Sequence, residues 1–122
     1  MITIFVYGSL LGGERNHRVL EGARFVGEAR TAPSFSLHDL GSYPAMVADG
    51  SHAIVGELYE VDELTLARLD SLEGHPSYYE RHTITLADGN AAETYLLPRD
   101  QVDHAPLITS GDWRQRRKEK RR

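Results

Sequence analysis

The chain has 122 residues, enough for one domain with its own core, and its 40% hydrophobic and 26% charged residues are ordinary for a globular protein. It has no cysteine, which excludes disulfides, Cys-ligated zinc and a thiol nucleophile, and no apolar run approaches the ~20 residues needed to span a bilayer. The net charge of −4 is uneven: residues 113–122 carry seven Lys or Arg against one Glu, which leaves an acidic body and excludes a uniformly basic nucleic-acid binder.

In chain order, residues 2–7 are apolar and β-branched and predict a buried strand that breaks at once into a glycine-bearing loop, residues 8–13. A strand that stops at Gly8-Ser9 presents backbone N–H groups and one hydroxyl at a sheet end, where unpaired donors seek a carbonyl or carboxylate. Asn16 reads as the cap of a short helix over residues 17–21 that Gly22 ends. Two strands follow at 24–31 and 34–39, separated by Pro33, then a short strand at 44–48 and, after the Asp49-Gly50 turn, a strand at 53–61. Gly56 inside that last strand signals a bulge or a close backbone approach. The clearest helix begins at Asp62 as N-cap, repeats Leu66, Leu69 and Leu72 on one face, and stops at Gly74 and Pro76. Strands at 79–86 and 92–97 flank the Asp88-Gly89 hairpin turn, and residues 110–113 open a short terminal helix. Six or seven short, often hairpin-linked strands with two or three helices predict an α+β fold. The expected sheet is curved, mainly antiparallel, and partly closed or barrel-like. The expected organisation is a single domain over residues 1–112 and a basic C-terminal tail over 113–122.

Glu73 is the residue singled out by physics. It ends a helix, where the partial negative charge of the carbonyls and burial beside leucines both raise a carboxyl pKa. A carboxylate so badly placed is either exposed and tolerated, or a general acid or base. The six histidines show neither metal-site spacing nor an i, i+4 pair. Ser9 lacks the Gly-x-Ser-x-Gly elbow of a serine nucleophile, and residues 8–13 lack the Gly-Lys-Ser/Thr of a phosphate loop. No cofactor is expected. The N-terminus has no basic region ahead of its apolar strand, so a cytoplasmic protein without a membrane partner is expected. Nucleic-acid contact through the tail is the weaker reading of those charges, and a solvated terminus the stronger.

Read together, Tyr7-Gly8-Ser9-Leu10 and residues 69–76 with Tyr79 and Arg81 resemble the γ-glutamylcyclotransferase superfamily, in particular its AIG2-like branch with the γ-glutamylamine cyclotransferases. Residues 39–47 and 55–62 fit the same pattern, so the resemblance extends from residue 2 to about 97. It implies that Tyr7, Gly8, Ser9 and Leu10 bind a γ-glutamyl group, that Glu73 is the acid/base residue, and that Tyr79 lies near the pocket. Ser9 stands where many relatives have Thr, which keeps the hydroxyl. The implied reaction cyclises a γ-glutamyl amide to 5-oxoproline and releases the amine. The loop amides would hold either the α-carboxylate or the developing oxyanion. The alternative is a non-catalytic module that binds a small metabolite on the same fold.

Overall fold

The computed structural model describes residues 1–116. Seven strands form, β1 (Ile2–Val6), β2 (Arg24–Arg30), β3 (Phe35–Asp39), β4 (Pro44–Ala48), β5 (Val55–Val61), β6 (Glu80–Thr85) and β7 (Ala91–Leu96), with one α-helix, α1 (Glu63–Glu73), between β5 and β6. Five of the strands make one mixed sheet in the order β2-β5-β1-β7-β6, and β3 and β4 make a separate hairpin. β1 is central: it runs antiparallel to β5, with Ile4 opposite Tyr59, and parallel to β7, with Ile4 opposite Glu93. Its residues Ile4, Phe5 and Val6 are buried, as a strand covered on both faces requires. β7 and β6 form a hairpin in which Arg81 faces Tyr95, a register that matters below.

The expected barrel does not close. The two sheet edges, β2 and β6, meet only at the isolated bridge Thr31↔Leu86. After that bridge the chain leaves the sheet through Pro33 into the β3–β4 hairpin, so β2 has no further residues to pair with β6. The helix count is also lower than expected. Residues His17–Leu20, Arg99–Gln101 and Trp113–Gln115 are single 3-10 turns, and α1 is the one α-helix among the described residues. Asn16 begins the first turn but its side chain does not cap it.

α1 follows its sequence signals closely. Asp62 accepts a hydrogen bond from the Thr65 amide at 2.8 Å, and Gly74 adopts the left-handed conformation with φ 71°. The Gly74 amide donates to the Ser71 carbonyl and the His75 amide to the Asp70 carbonyl, the paired bonds of a Schellman motif. Glu73 is therefore the last helical residue, held between a fixed turn and the sheet. Leu69 is fully buried, whereas Leu72 is half-exposed at the rim of the cavity described below. Gly56 proves to be a close approach: a Cβ there would lie 2.2 Å from the Val6 carbonyl oxygen. The bulge lies opposite, in β2, between Phe25 and Gly27.

Packing continues past residue 112. Trp113 is among the largest fully buried side chains, and Arg114 reaches back to pair with Glu57 at 3.3 Å. The Arg116 guanidinium stacks on the Trp113 ring, 3.5 Å from its centroid. The first residues of the expected tail are packed because an indole is a large apolar load that charged neighbours do not keep in solvent. The basic residues 117–122, and the nucleic-acid reading placed on them, lie outside the described residues. No helix among the described residues is long and apolar enough to cross a membrane.

Candidate active site

Where β1 ends, the chain turns through residues 7–13 instead of continuing into the sheet. The Gly8 carbonyl accepts from the Leu11 amide at 3.0 Å and the Ser9 carbonyl from the Asn16 amide at 2.9 Å. Among the described residues no acceptor takes the amides of Gly8, Ser9 or Leu10. Gly8 is required by close packing: a Cβ at this position would sit 2.6 Å from Pro44 Cγ and Cδ. The far side of the loop is pinned from beneath. The buried Glu57 carboxylate accepts from the Gly12 amide at 2.8 Å, from the Tyr59 hydroxyl at 3.0 Å and from Arg114, which also donates to the Gly12 carbonyl. Burial pushes the Glu57 carboxyl up, but these donors outweigh it and hold it below its usual range.

A cavity of about 280 Å³ opens at the carboxyl ends of the parallel pair β1 and β7, near the roughly 300 Å³ at which small-molecule sites begin. Tyr7, Gly8, Ser9, Leu10, Glu73 and Tyr79, the six residues singled out in the sequence, all line it. They come from the segment that follows β1, the end of α1 and the segment before β6, so residues up to 72 positions apart in the chain converge on one space.

The Glu73 carboxyl is mostly buried in this wall, and no side chain among the described residues donates a hydrogen bond to it. Burial alone pushes its pKa from 4.5 up to about 7. The tyrosines around it are turned elsewhere. The Tyr7 hydroxyl donates to the Tyr95 carbonyl at 2.6 Å and accepts from the Met46 amide at 3.3 Å; the Tyr79 hydroxyl donates to the Pro44 carbonyl at 2.7 Å. Burial and the Glu73 charge both raise the pKa of Tyr7, and burial, then the neighbouring tyrosines and Glu73, raise that of Tyr79. Both phenols stay protonated, and their roles are to shape the wall and to lock the β3–β4 hairpin over it.

Several residues of the site carried no such signal in the sequence. Asn16 caps nothing; its Nδ2 donates to Ser9 Oγ at 3.0 Å and fixes the hydroxyl's direction. Arg15 also lines the cavity, and Tyr43 forms its outer rim with Tyr78, which its place beside Tyr79 in the chain already marks as a candidate pocket residue, their hydroxyls 2.9 Å apart. Tyr78 also borders a larger groove between β6 and the β3–β4 hairpin, so the two spaces meet at its ring. Tyr95 lines the cavity from β7. The histidines stay out of it, and no group of three or more His, Asp or Glu among the described residues is placed to hold a metal ion.

The arrangement offers a zwitterion two poles. Unused amides and Arg15 suit a carboxylate, and a desolvated glutamate with no donor suits an ammonium group whose proton it can take.

Comparison with known proteins gives this geometry a family. The profile of the family described as gamma-glutamyl cyclotransferase, AIG2-like, matches residues 4–115. A Vibrio cholerae protein provisionally named a gamma-glutamylcyclotransferase is 45% identical over 113 residues, covering 93% of this chain and 96% of its own. The Escherichia coli gamma-glutamylcyclotransferase family protein YtfP is 38% identical over 115 residues, covering 94% of this chain and 98% of its own. The crystal structure of a mouse AIG2-like protein superposes with a TM-score of 0.73 at 34% identity, covering 79% of this chain and 76% of that one. A match over nearly the whole folded length, with the loop and Glu73 inside it, leaves no segment of the site outside the relationship: the chain belongs to the AIG2-like gamma-glutamyl cyclotransferase family.

Proposed function

We propose that the protein cyclises a γ-glutamyl amide to 5-oxoproline and releases the amine, with Glu73 as general base and then general acid. The observation that carries this reading is a buried carboxyl without a donor, its pKa raised to about 7, in the same small cavity as three unused loop amides.

The substrate supplies its own nucleophile. Its α-amine lies a few bonds from the γ-carbonyl carbon, so binding it in a bent shape replaces much of the catalytic machinery with proximity. Glu73 takes one proton from the α-ammonium. The freed amine forms the new C–N bond at the γ-carbonyl, and the tetrahedral intermediate places negative charge on the former carbonyl oxygen. The old C–N bond then breaks as Glu73 returns the proton to the departing nitrogen, and the carboxylate so regenerated removes the second proton from the positively charged ring nitrogen and passes it to the released amine or to solvent. The products are the five-membered lactam and a free amine.

The raised pKa has a purpose in this scheme. An ordinary carboxylate, roughly 3.5 pH units below an α-amine of pKa about 8, would take the proton at a cost of about 5 kcal/mol. At about 7, Glu73 cuts that to roughly 1.4 kcal/mol and still returns the proton readily. The amides of residues 8–10 would hold the α-carboxylate or the oxyanion, and Arg15, which lines the same cavity, would add a positive charge. Ser9, held by Asn16, orients and does not attack.

A screen of γ-glutamyl amines and γ-glutamyl amino acids for 5-oxoproline release tests this. The wild type should release it from at least one class, and Glu73→Gln should abolish release. Release that survives Glu73→Gln would overturn the mechanism. Binding without turnover across the panel, with equal affinity for Glu73→Gln, would instead make the protein a metabolite-binding module.

A further inference from the structure

One side-chain cluster beside the cavity is not used by the reaction. Asp70, one helical turn before Glu73, is gripped by two residues that face each other across the β6–β7 hairpin. The Arg81 guanidinium donates to both carboxylate oxygens of Asp70, at 2.8 and 2.6 Å, and the Tyr95 hydroxyl donates to Asp70 Oδ1 at 2.6 Å. Arg81 also lies 3.5 Å from Glu93, and its amide donates to His75 Nδ1 at 3.0 Å. The grip thus ties the last turn of α1 to the sheet.

The groups that face Glu73 are Tyr7 from the end of β1, Tyr79 from the segment after α1, and Tyr95 from β7, with Arg15, Tyr43 and Tyr78 completing the charged and titratable lining. Tyr7 and Tyr79 give their hydroxyl protons to main-chain carbonyls, and Tyr43 and Tyr78 pair with each other. Tyr95 differs: its hydroxyl proton goes to a side chain, the Asp70 carboxylate. We infer that Asp70 is a positioning residue that draws the Tyr95 hydroxyl away from Glu73, with Arg81 fixing Asp70 for that purpose, so that the Glu73 carboxylate is left free to take a proton from substrate.

This inference rests on Glu73 acting as the base, so its test is read without substrate. Carbon-13 titration of the glutamate carboxyls in the full-length protein gives the Glu73 midpoint, its signal assigned by its loss in Glu73→Gln. With Asp70→Ala the Tyr95 hydroxyl loses its acceptor and turns to Glu73, and the midpoint falls by about one pH unit or more, since a hydrogen bond to the charged form favours it. Adding Tyr95→Phe removes the donor and brings the midpoint back toward the wild-type value. Asp70→Asn retains an oxygen acceptor and holds it there, as does Tyr95→Phe alone. If Asp70→Ala does not fold, Asp70→Leu, which also offers no acceptor, is read in its place. An unmoved midpoint in the acceptor-free variant, or a fall that Tyr95→Phe does not reverse, overturns the inference. Neither result depends on turnover, so a protein that releases no 5-oxoproline refutes the proposed reaction and leaves this test intact.

Discussion

Replacing Glu73 with Gln should stabilise the protein, and by an amount that depends on pH. The carboxyl titrates at about 7 in the folded chain against 4.5 for the ordinary group, because burial disfavours its charged form. Between those values the folded state holds a proton that the unfolded state has released. Stability therefore falls as pH rises through that window, and the full cost is present above it. A displacement of about 2.5 pH units at 1.36 kcal/mol each makes the cost roughly 3 kcal/mol at pH 8, and close to none at pH 4. Glutamine is the uncharged shape mimic, so it removes the cost without opening a cavity.

The assay is urea unfolding of wild type and Glu73→Gln at half-unit steps from pH 4 to pH 8.5. Titrations common to both proteins cancel in the difference. The two should be equally stable near pH 4, diverge through pH 5 to 7, and differ by about 3 kcal/mol at pH 8, with Glu73→Gln the more stable. A large fraction of a typical 5–15 kcal/mol stability would then be spent on keeping one carboxyl desolvated. A difference that stays flat across the range would refute the argument, because it would mean that Glu73 titrates alike folded and unfolded and is not held as a raised base.

Other substitutions separate the loop's parts. Ser9→Ala loses the bond from Asn16 Nδ2 and should lower 5-oxoproline release by tenfold or less. A loss on the order of 10⁴ would restore Ser9 as a nucleophile. Gly8→Ala drives a methyl against Pro44 and should cost roughly 1–3 kcal/mol in thermal or urea unfolding; an unchanged midpoint would show that the loop and hairpin are not in close packing. Trp113→Ala should cost about 3–5 kcal/mol in the same assay, whereas a value under 1 kcal/mol would return this residue to a tail outside the domain.

The sequence carries the local structure well, because each signal there acts over a few residues. The Asp62 cap, the Gly74 stop and the strand runs all appear within a residue or two of their expected positions. The same locality explains the errors. Asn16 looks like a helix cap because it precedes a helical stretch, but residues 17–20 make one 3-10 turn, and the side chain instead serves a hydroxyl seven positions earlier. Trp113 stands at the head of seven basic residues, and the charge run hides the one large apolar side chain among the last ten positions. Closure of the sheet depends on where β2 and β6 stop relative to each other, a distance property that no run of residues encodes.

The candidate site shows the same division more sharply. The loop and Glu73 are legible because each breaks a local rule: a buried strand ends in a spare-donor loop, and an acid occupies the negative end of a helix. The helix end, however, supplies only the position. The shift of Glu73 comes from burial, and the hydroxyls of Tyr7, Tyr79 and Tyr95 each donate to another acceptor. Those acceptors are the Tyr95 and Pro44 carbonyls and the Asp70 carboxylate, brought into place by the β6–β7 register and by the hairpin folding over the loop. Had the β6–β7 register slipped by one residue, Arg81 and Tyr95 would lie on opposite faces of the sheet and Asp70 would keep only one of these two partners. The carboxyl thus belongs to α1 by sequence, but its surroundings belong to the sheet.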